Sequence, residues 1–372
     1  MGPCLPPIAK LAYPVGIPKR LNEEPIEIRP QGDWQFEATL PETLNGIIPQ
    51  IATRMNEVWV SSLGVEKVFQ YQTETHQWKS YTSIGGTSAI PRDLFVSRDG
   101  TLWGIGVVSL GDDWSTNLPM LSYYNDVTDQ FEPVQDIDGL LVSSWVVSGI
   151  PPVSEDQEGL LWFFASKMGP EGAGDEAVSL YSFDPVDRKA EKRISMMNGF
   201  HYTTPVVAPD GSIWFYHAQE GYLYRYSPDT GEARPYYGIP SFERIGSPIN
   251  LFFDRDGRLW VDNKGWLDFS DPDNPTWYEM IPSTAFLTDQ GAFKTDDVEG
   301  PLSGYGFAPP IYISQSSNGW MWFTTLHGTI RLDLEKEEWC LFTNGGSPVL
   351  EDDQGYVWIT VFDGLYKLRL VP

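Results

Sequence analysis

Three of the four histidines in this 372-residue chain, His201, His217 and His327, stand in connecting segments between runs that read as β-strands. Imidazoles gathered with a carboxylate can hold a metal ion or move protons near neutral pH. The same kinds of segment carry the carboxylates Glu220 and Asp363, the cations Arg92, Arg244 and Lys264, and the aromatics Trp145 and Tyr202. Each also has an ordinary reading. The histidines belong to separate loops, the carboxylates to solvated turns, and the arginines to pairs with an excess of acids. No Gly-rich phosphate loop, serine nucleophile elbow or His-Glu-x-x-His helix accompanies them. The acidic stretches Asp271-Pro272-Asp273-Asn274 and Asp296-Asp297-Val298-Glu299 lack the twelve-residue calcium-loop pattern. What these residues do depends on the elements that place them.

Those elements repeat. Aligned on Gly-x-x-Trp, the chain reads Asp99-Gly100 to Trp103, Glu158-Gly159 to Trp162, Asp210-Gly211 to Trp214, Asp256-Gly257 to Trp260, Asn318-Gly319 to Trp322 and Gln354-Gly355 to Trp358. An earlier copy ending at Trp59 has Asn56 in place of the glycine. Successive tryptophans are 44, 59, 52, 46, 62 and 36 residues apart, around the roughly 40 to 50 residues of a propeller blade. Asp-Gly or Asn-Gly supplies the positive φ of a tight hairpin. An apolar inner strand such as Pro205-Val206-Val207-Ala208 precedes the turn, and the tryptophan opens a second strand and fills the wedge between blades. A third strand such as Tyr222 to Tyr226 follows, then a turn and an outer strand.

Six outer strands are legible: Gln77 to Tyr81, Gln130 to Val134, Ala190 to Ile194, Ala233 to Tyr237, Thr276 to Met280 and Glu338 to Phe342. The last blade ends at its third strand, Gly364 to Leu368, while Asp33-Trp34-Gln35-Phe36-Glu37-Ala38 resembles an outer strand with no blade before it. Joining the two removes a free sheet edge. The expectation is therefore all-β: a seven-bladed β-propeller of four-stranded antiparallel blades, closed by an N-terminal strand, with a Pro-rich leader over 1–31 and the propeller over 32–372.

Formal charge is −26 and pI about 4.4, which disfavours phosphate backbones and anionic lipid surfaces, so no nucleic-acid partner is expected. No apolar run reaches the ~18 residues of a membrane helix, and no signal peptide is legible. The two cysteines, Cys4 and Cys340, give neither zinc spacing nor a disulfide framework. Cys340 reads as a small core residue in an alternating strand. Cys4 reads as an incidental thiol, or as what remains of a lipoprotein attachment site once its signal is removed.

The copies resemble the two-component-regulator propeller repeat, roughly Asp-x-x-Gly-x-Leu-Trp followed by a Gly-led third strand. Asp254 to Trp260 with Gly265, Ser316 to Trp322 with Gly328, and Asp352 to Trp358 with Gly364 carry the likeness. That resemblance implies an extracytoplasmic ligand-sensing region. The chain is also similar to streptogramin lyases, through copies like Pro209-Asp210-Gly211-Ser212-Ile213-Trp214-Phe215. This second resemblance implies histidines and a carboxylate near the propeller mouth that eliminate across a lactone ester with Mg; Thr325 stands where the family's Glu is expected. The adjacent Asp99 and Gly100 do not make a sialidase Asp-box.

In a propeller the second-to-third-strand loops and the loops entering the inner strands share one face. The first kind offers His217, Glu220, Lys264, His327 and Asp363; the second offers Arg92, Trp145, His201, Tyr202 and Arg244. Two insertions, Ser166 to Ala177 and Pro282 to Pro309, are of functional length, the second with Phe286, Phe293, Tyr305 and Phe307 as a lid or a tucked Ω-loop. The expected function is a monomeric, extracytoplasmic propeller that binds a small molecule, glycan or peptide around its central channel. The alternative is a lyase or hydrolase using the same funnel; a cofactor is left open.

Overall fold

The computed structural model describes residues 4–5, 34–41, 50–61, 67–86, 90–109, 117–134, 140–142, 153–167, 178–195, 204–217, 221–236, 250–261, 265–269, 275–279, 285–286, 293–294, 312–325, 328–335, 338–343, 348–361 and 364–370. They form seven antiparallel blades, each ordered from an inner first strand to an outer fourth. The first and second strands are Gln50–Arg54 and Glu57–Ser61 in blade 1, Ile90–Val96 and Leu102–Ser109 in blade 2, and Val153–Glu155 and Leu161–Lys167 in blade 3. They continue as Val206–Val207 and Ile213–His217 in blade 4, and Leu251–Phe253 and Leu259–Val261 in blade 5. Tyr312–Gln315 and Met321–Thr325 open blade 6, and Leu350–Glu351 and Tyr356–Val361 open blade 7.

The turn between these strands is the repeat's organising element. Its glycine has φ between 78° and 86° at Gly100, Gly159, Gly211, Gly257, Gly319 and Gly355. The amide of that glycine bonds the carbonyl three residues back, as Gly257 does Asp254 (3.0 Å), and the amide of Asp254 bonds the Arg258 carbonyl (3.0 Å). This is a three-residue loop ending in a left-handed glycine. The tight hairpin expected at each Asp-Gly or Asn-Gly is present, with the positive φ on the glycine while the residue before it keeps a negative φ. In blade 1 the connection is Met55-Asn56, and the positive φ (49°) falls on Met55 rather than on Asn56.

Each repeat tryptophan is 0 to 5% exposed and its indole N–H has a side-chain acceptor beside the turn. Asp156, Asp254 and Asp352 accept from Trp162, Trp260 and Trp358 at 2.7 Å each. Ser97, Ser316, Ser212 and Glu57 serve Trp103, Trp322, Trp214 and Trp59 at 2.9 to 3.1 Å. The rings fill the wedges between blades as expected. Trp59 packs with Leu94 and Leu102 of blade 2, Trp162 with Ile213 and Phe215 of blade 4, and Trp260 with Ile313 and Met321 of blade 6. Trp358 of blade 7 packs with Ile51, Val58 and Val60 of blade 1, which closes the ring.

The seam is closed by the N-terminal strand, again as expected. Gln35–Thr39 pairs with Gly364–Arg369 as the fourth strand of blade 7, from Gln35 opposite Lys367 to Thr39 opposite Gly364. A bulge between Phe36 and Ala38 leaves Glu37 as the extra residue. Its carboxylate accepts from Tyr71 Oη of blade 1 (3.0 Å) and lies 2.7 Å from Lys367 Nζ and 3.2 Å from His76 Nδ1. Burial, with Glu37 alongside, raises the Tyr71 phenol well above its ordinary range.

Three elements were not foreseen. Cys4–Leu5 adds a fifth strand outside the Glu338–Thr343 strand of blade 6. Ala285–Phe286 and Phe293–Lys294 pair as a small hairpin within the second insertion. Leu140–Val142 pairs with the same blade 3 strand as Val153–Glu155 does.

Candidate functional site

Inner strands of neighbouring blades lie side by side, those of blades 1 and 2, 3 and 4, 4 and 5, 5 and 6, and 7 and 1 among them. The glycine turns mark one end of this ring, and the candidate residues belong to the other. His217 ends the second strand of blade 4, is 3% exposed, and presents its ring edge-on to Tyr224 at 6.4 Å. Its carbonyl accepts the Gly221 amide at 2.8 Å. His217 is thus a strand-end residue rather than a loop residue.

Arg92 lies within the inner strand of blade 2. Pro91 pairs with Gly106 and Asp93 with Ile105, so Arg92 is the extra residue of a bulge. Asp93 beside it is 4% exposed. Trp145 belongs to 143–152, outside the described residues, but both ends of that stretch are placed. Val142 pairs with Ala165 and Val153 with Phe163, so the chain leaves the inner strand of blade 3 and re-enters it two partner positions further along. The hairpin of blade 2 is also the longest among the described residues, with Ser109 paired to Asn117, and the Leu140–Val142 segment lies against its returning strand, Asn117–Asn125.

Glu220, Lys264, His327 and Asp363 lie outside the described residues, each between strand ends that are bonded or paired directly: His217 with Gly221, Val261 with Gly265, Thr325 with Gly328, and Val361 with Gly364. His201, Tyr202 and Arg244 also lie outside them, as does most of the Ser166 to Ala177 insertion. Among the described residues no group of three His, Cys, Asp or Glu has metal-binding geometry.

The sequence reading missed a tier of buried polar side chains at this end of the strands. Gln50 and Ser61 of blade 1 are 5% and 1% exposed and pair across the sheet. Asp93, Ser179, His217, Asn250, Thr324 and Thr360 supply the same tier in blades 2 to 7, none more than 5% exposed. Tyr312 of blade 6 pairs with Thr324, and desolvation pushes its phenol up to about 12. Buried polar side chains are stable only when bonded. A signal was present in blades 1, 6 and 7, where Ser61, Thr324 and Thr360 are small polar residues that follow the apolar core of the second strand.

The glycine-turn end has a different character. A recess of about 380 Å³ opens there between blades 5, 6 and 7. Gln315 and Glu351 in its lining join neighbouring blades, and Asp352 braces the turn of its own blade. Gln315 accepts the Arg255 amide (2.8 Å), Glu351 accepts the amide and hydroxyl of Ser317, and Asp352 accepts the Tyr356 amide (2.9 Å). Similar links run from Arg54 Nε to the Gly100 carbonyl (2.6 Å), from the Arg98 amide to Glu155 (2.8 Å), and from Gln157 to the Pro209 carbonyl (2.8 Å). Arg54 also grips Asp126 with both terminal nitrogens (2.8 and 2.5 Å) and holds that carboxylate below its usual range. Burial pushes Glu155 the other way. This face is bonded to itself.

No family model matches the chain, and no curated protein matches it in sequence. Solved structures do. Selenomethionine-substituted virginiamycin B lyase from Staphylococcus aureus is similar with a TM-score of 0.56 at 13% identity, over 91% of this chain and 100% of that one. A streptogramin B lyase gives 0.56 at 16%, over 91% and 97%. The extracellular domain of a hybrid two-component system from B. thetaiotaomicron gives 0.55 at 13%, over 91% of this chain and 41% of that one. At these identities the likeness is one of fold, and it agrees with the seven-bladed propeller.

Proposed function

We propose that this chain is a ligand-binding propeller that takes a small molecule, glycan or peptide at the end of the channel opposite the glycine turns. The observation that carries the reading is the irregularity of two adjacent inner strands. Blade 2 bulges at Arg92, and blade 3 departs from its ladder over the segment containing Trp145. Channel strands of a purely structural ring have no need of either device, whereas bulges commonly re-aim side chains at sites. The buried polar tier beneath supports the same reading. Tyr202, His201, His217, Glu220, Arg244, Lys264, His327 and Asp363 complete the proposed lining.

The organisation we propose is a leader over 1–31 followed by one propeller over 32–372, acting as a monomer outside the cytoplasm. The extracytoplasmic placement is in keeping with the extracellular sensor domain of similar fold. No described helix is long and apolar enough to cross a membrane. The expectation of a lipid on Cys4 competes with the placement of that residue taken up below.

The test is thermal unfolding against glycans, peptides, small metabolites, and divalent metals with and without chelator. A ligand at about 100 times its Kd adds about 2.7 kcal/mol. The expected result is a chelator-insensitive shift with one organic class, abolished in Arg92→Ala and Trp145→Ala while their ligand-free melts stay near the parent. A shift that survives both substitutions, or none with any compound, overturns the site. A metal-dependent shift lost in His217→Ala or His327→Ala turns the reading to the lyase or hydrolase alternative.

A further inference from the structure

The chain has two cysteines, near its two ends, at positions 4 and 340. The fold brings them together. Cys4–Leu5 pairs antiparallel with the outer strand of blade 6, with Cys4 directly opposite Cys340 and Leu5 opposite Trp339. Opposed residues of an antiparallel ladder have Cα atoms about 4.5 or 5.5 Å apart, depending on whether the pair is hydrogen-bonded. A disulfide needs about 4.4 to 6.8 Å. Either kind of pair meets that requirement. We propose that Cys4 and Cys340 form a cross-strand disulfide that fastens the N-terminal segment to blade 6.

A second observation concerns the strand itself. Two residues of ladder gain little more than the entropy lost in ordering them, so a strand of this length far from its partner in sequence calls for a staple. The bond supplies one, and its position gives it a use. The segment on the edge of blade 6 precedes in sequence the strand that closes blade 7 from Gln35. The closing strand is then tethered on both sides, by the bond ahead of it and by the rest of blade 1 behind it. A staple across so long a stretch of chain restricts the unfolded state strongly.

The chemistry is thiol–disulfide exchange with a small-molecule or protein disulfide as oxidant. The thiolate of one cysteine attacks the oxidant, forms a mixed disulfide and releases one reduced thiol. The second cysteine displaces the remaining half. One S–S bond forms in the chain, the oxidant's S–S bond breaks, and the two protons lost by the cysteines end on the two thiols released. Such bonds persist in oxidising compartments. The inference stands apart from the ligand-binding reading, and neither depends on the other.

The experiment treats the full chain with excess oxidised glutathione, then denatures, alkylates and digests it without reductant. The expected result is a mass lower by two hydrogens, no alkylation at either cysteine, and one peptide pair joining Cys4 to Cys340 that separates on reduction. The oxidised protein melts on the order of 5 °C above the reduced one, and Cys4→Ser and Cys340→Ser melt with the reduced form under both conditions. Cys4→Ser, on the added edge strand, keeps the comparison available should Cys340→Ser fail to fold. Alkylation of both cysteines, a glutathione adduct on each, a disulfide-linked dimer, or a lipid thioether on Cys4 with Cys340 free each overturns the proposal.

Discussion

Every repeat indole donates one hydrogen bond, but the acceptor moves. In blade 5 it is Asp254, whose carboxylate also takes the amides of Asp256 (3.0 Å) and Arg258 (2.9 Å) and the Arg258 guanidinium (2.6 Å). In blade 4 the equivalent residue is Ala208, and Ser212 beside the glycine takes the indole instead (3.0 Å). The repeat therefore contains its own double substitution. Asp254→Ala is expected to cost about 2 to 4 kcal/mol, because several buried or half-buried donors lose their acceptor at once. Adding Arg258→Ser in that background, which copies blade 4, is expected to return part of the loss. Urea unfolding of the parent, the single and the double variant checks both statements, and a double variant weaker than the single one refutes the exchange of roles. The tryptophans and glycines were legible because their spacing is constant. The acceptor was not, because Asp, Ser and Glu at several offsets reach the same nitrogen.

Strands were readable from alternation, and nearly all of the foreseen ones lie within a residue or two of their expected ends. Their irregularities were not. One extra residue, Glu37 or Arg92, changes neither composition nor period appreciably, and a strand interrupted as in blade 3 reads as two separate runs. Third strands that open on glycine do so for a steric reason that only the neighbouring strand reveals. At Gly265 an added Cβ would sit 2.1 Å from the Tyr278 carbonyl oxygen and 2.8 Å from the Trp277 ring. At Gly211 it would meet nothing within 4 Å, and the demand is the φ of 81° alone. Gly265→Ala is accordingly expected to displace the outer strand Thr276–Glu279 and cost about 3 kcal/mol or more, against about 1 kcal/mol for Gly211→Ala. Amide exchange separates the cases: faster exchange along blade 5 in the first variant, and a globally lower stability with unchanged local protection in the second. Equal costs at the two sites would refute the steric assignment.

At the scale of the ring, stability depends on the seam. The closing strand Gln35–Thr39 completes blade 7, and the Glu37 bulge joins it to Lys367 of its own blade and to Tyr71 of blade 1. The Glu37 side chain is 8% exposed, so its loss strands a buried phenol and a half-buried ammonium. Glu37→Ala is expected to cost about 2 to 4 kcal/mol and to raise protease susceptibility first at the N-terminal strand. Limited proteolysis with sequencing of the first cut tests this, and a first cut inside blades 2 to 5 counts against the seam as the weakest junction. What the sequence by itself determined is the all-β class, the seven blades, their turn positions and the closure by an N-terminal strand. Those features follow from local turn chemistry and two-residue alternation, which act between near neighbours and repeat seven times. What only the tertiary structure decided is the acceptor at each indole, the bulged inner strand of blade 2 and the interrupted one of blade 3, the polar tier beneath the candidate site, and the placement of Cys4 opposite Cys340. These depend on which residues, far apart in the chain, come within bonding distance once the ring is closed.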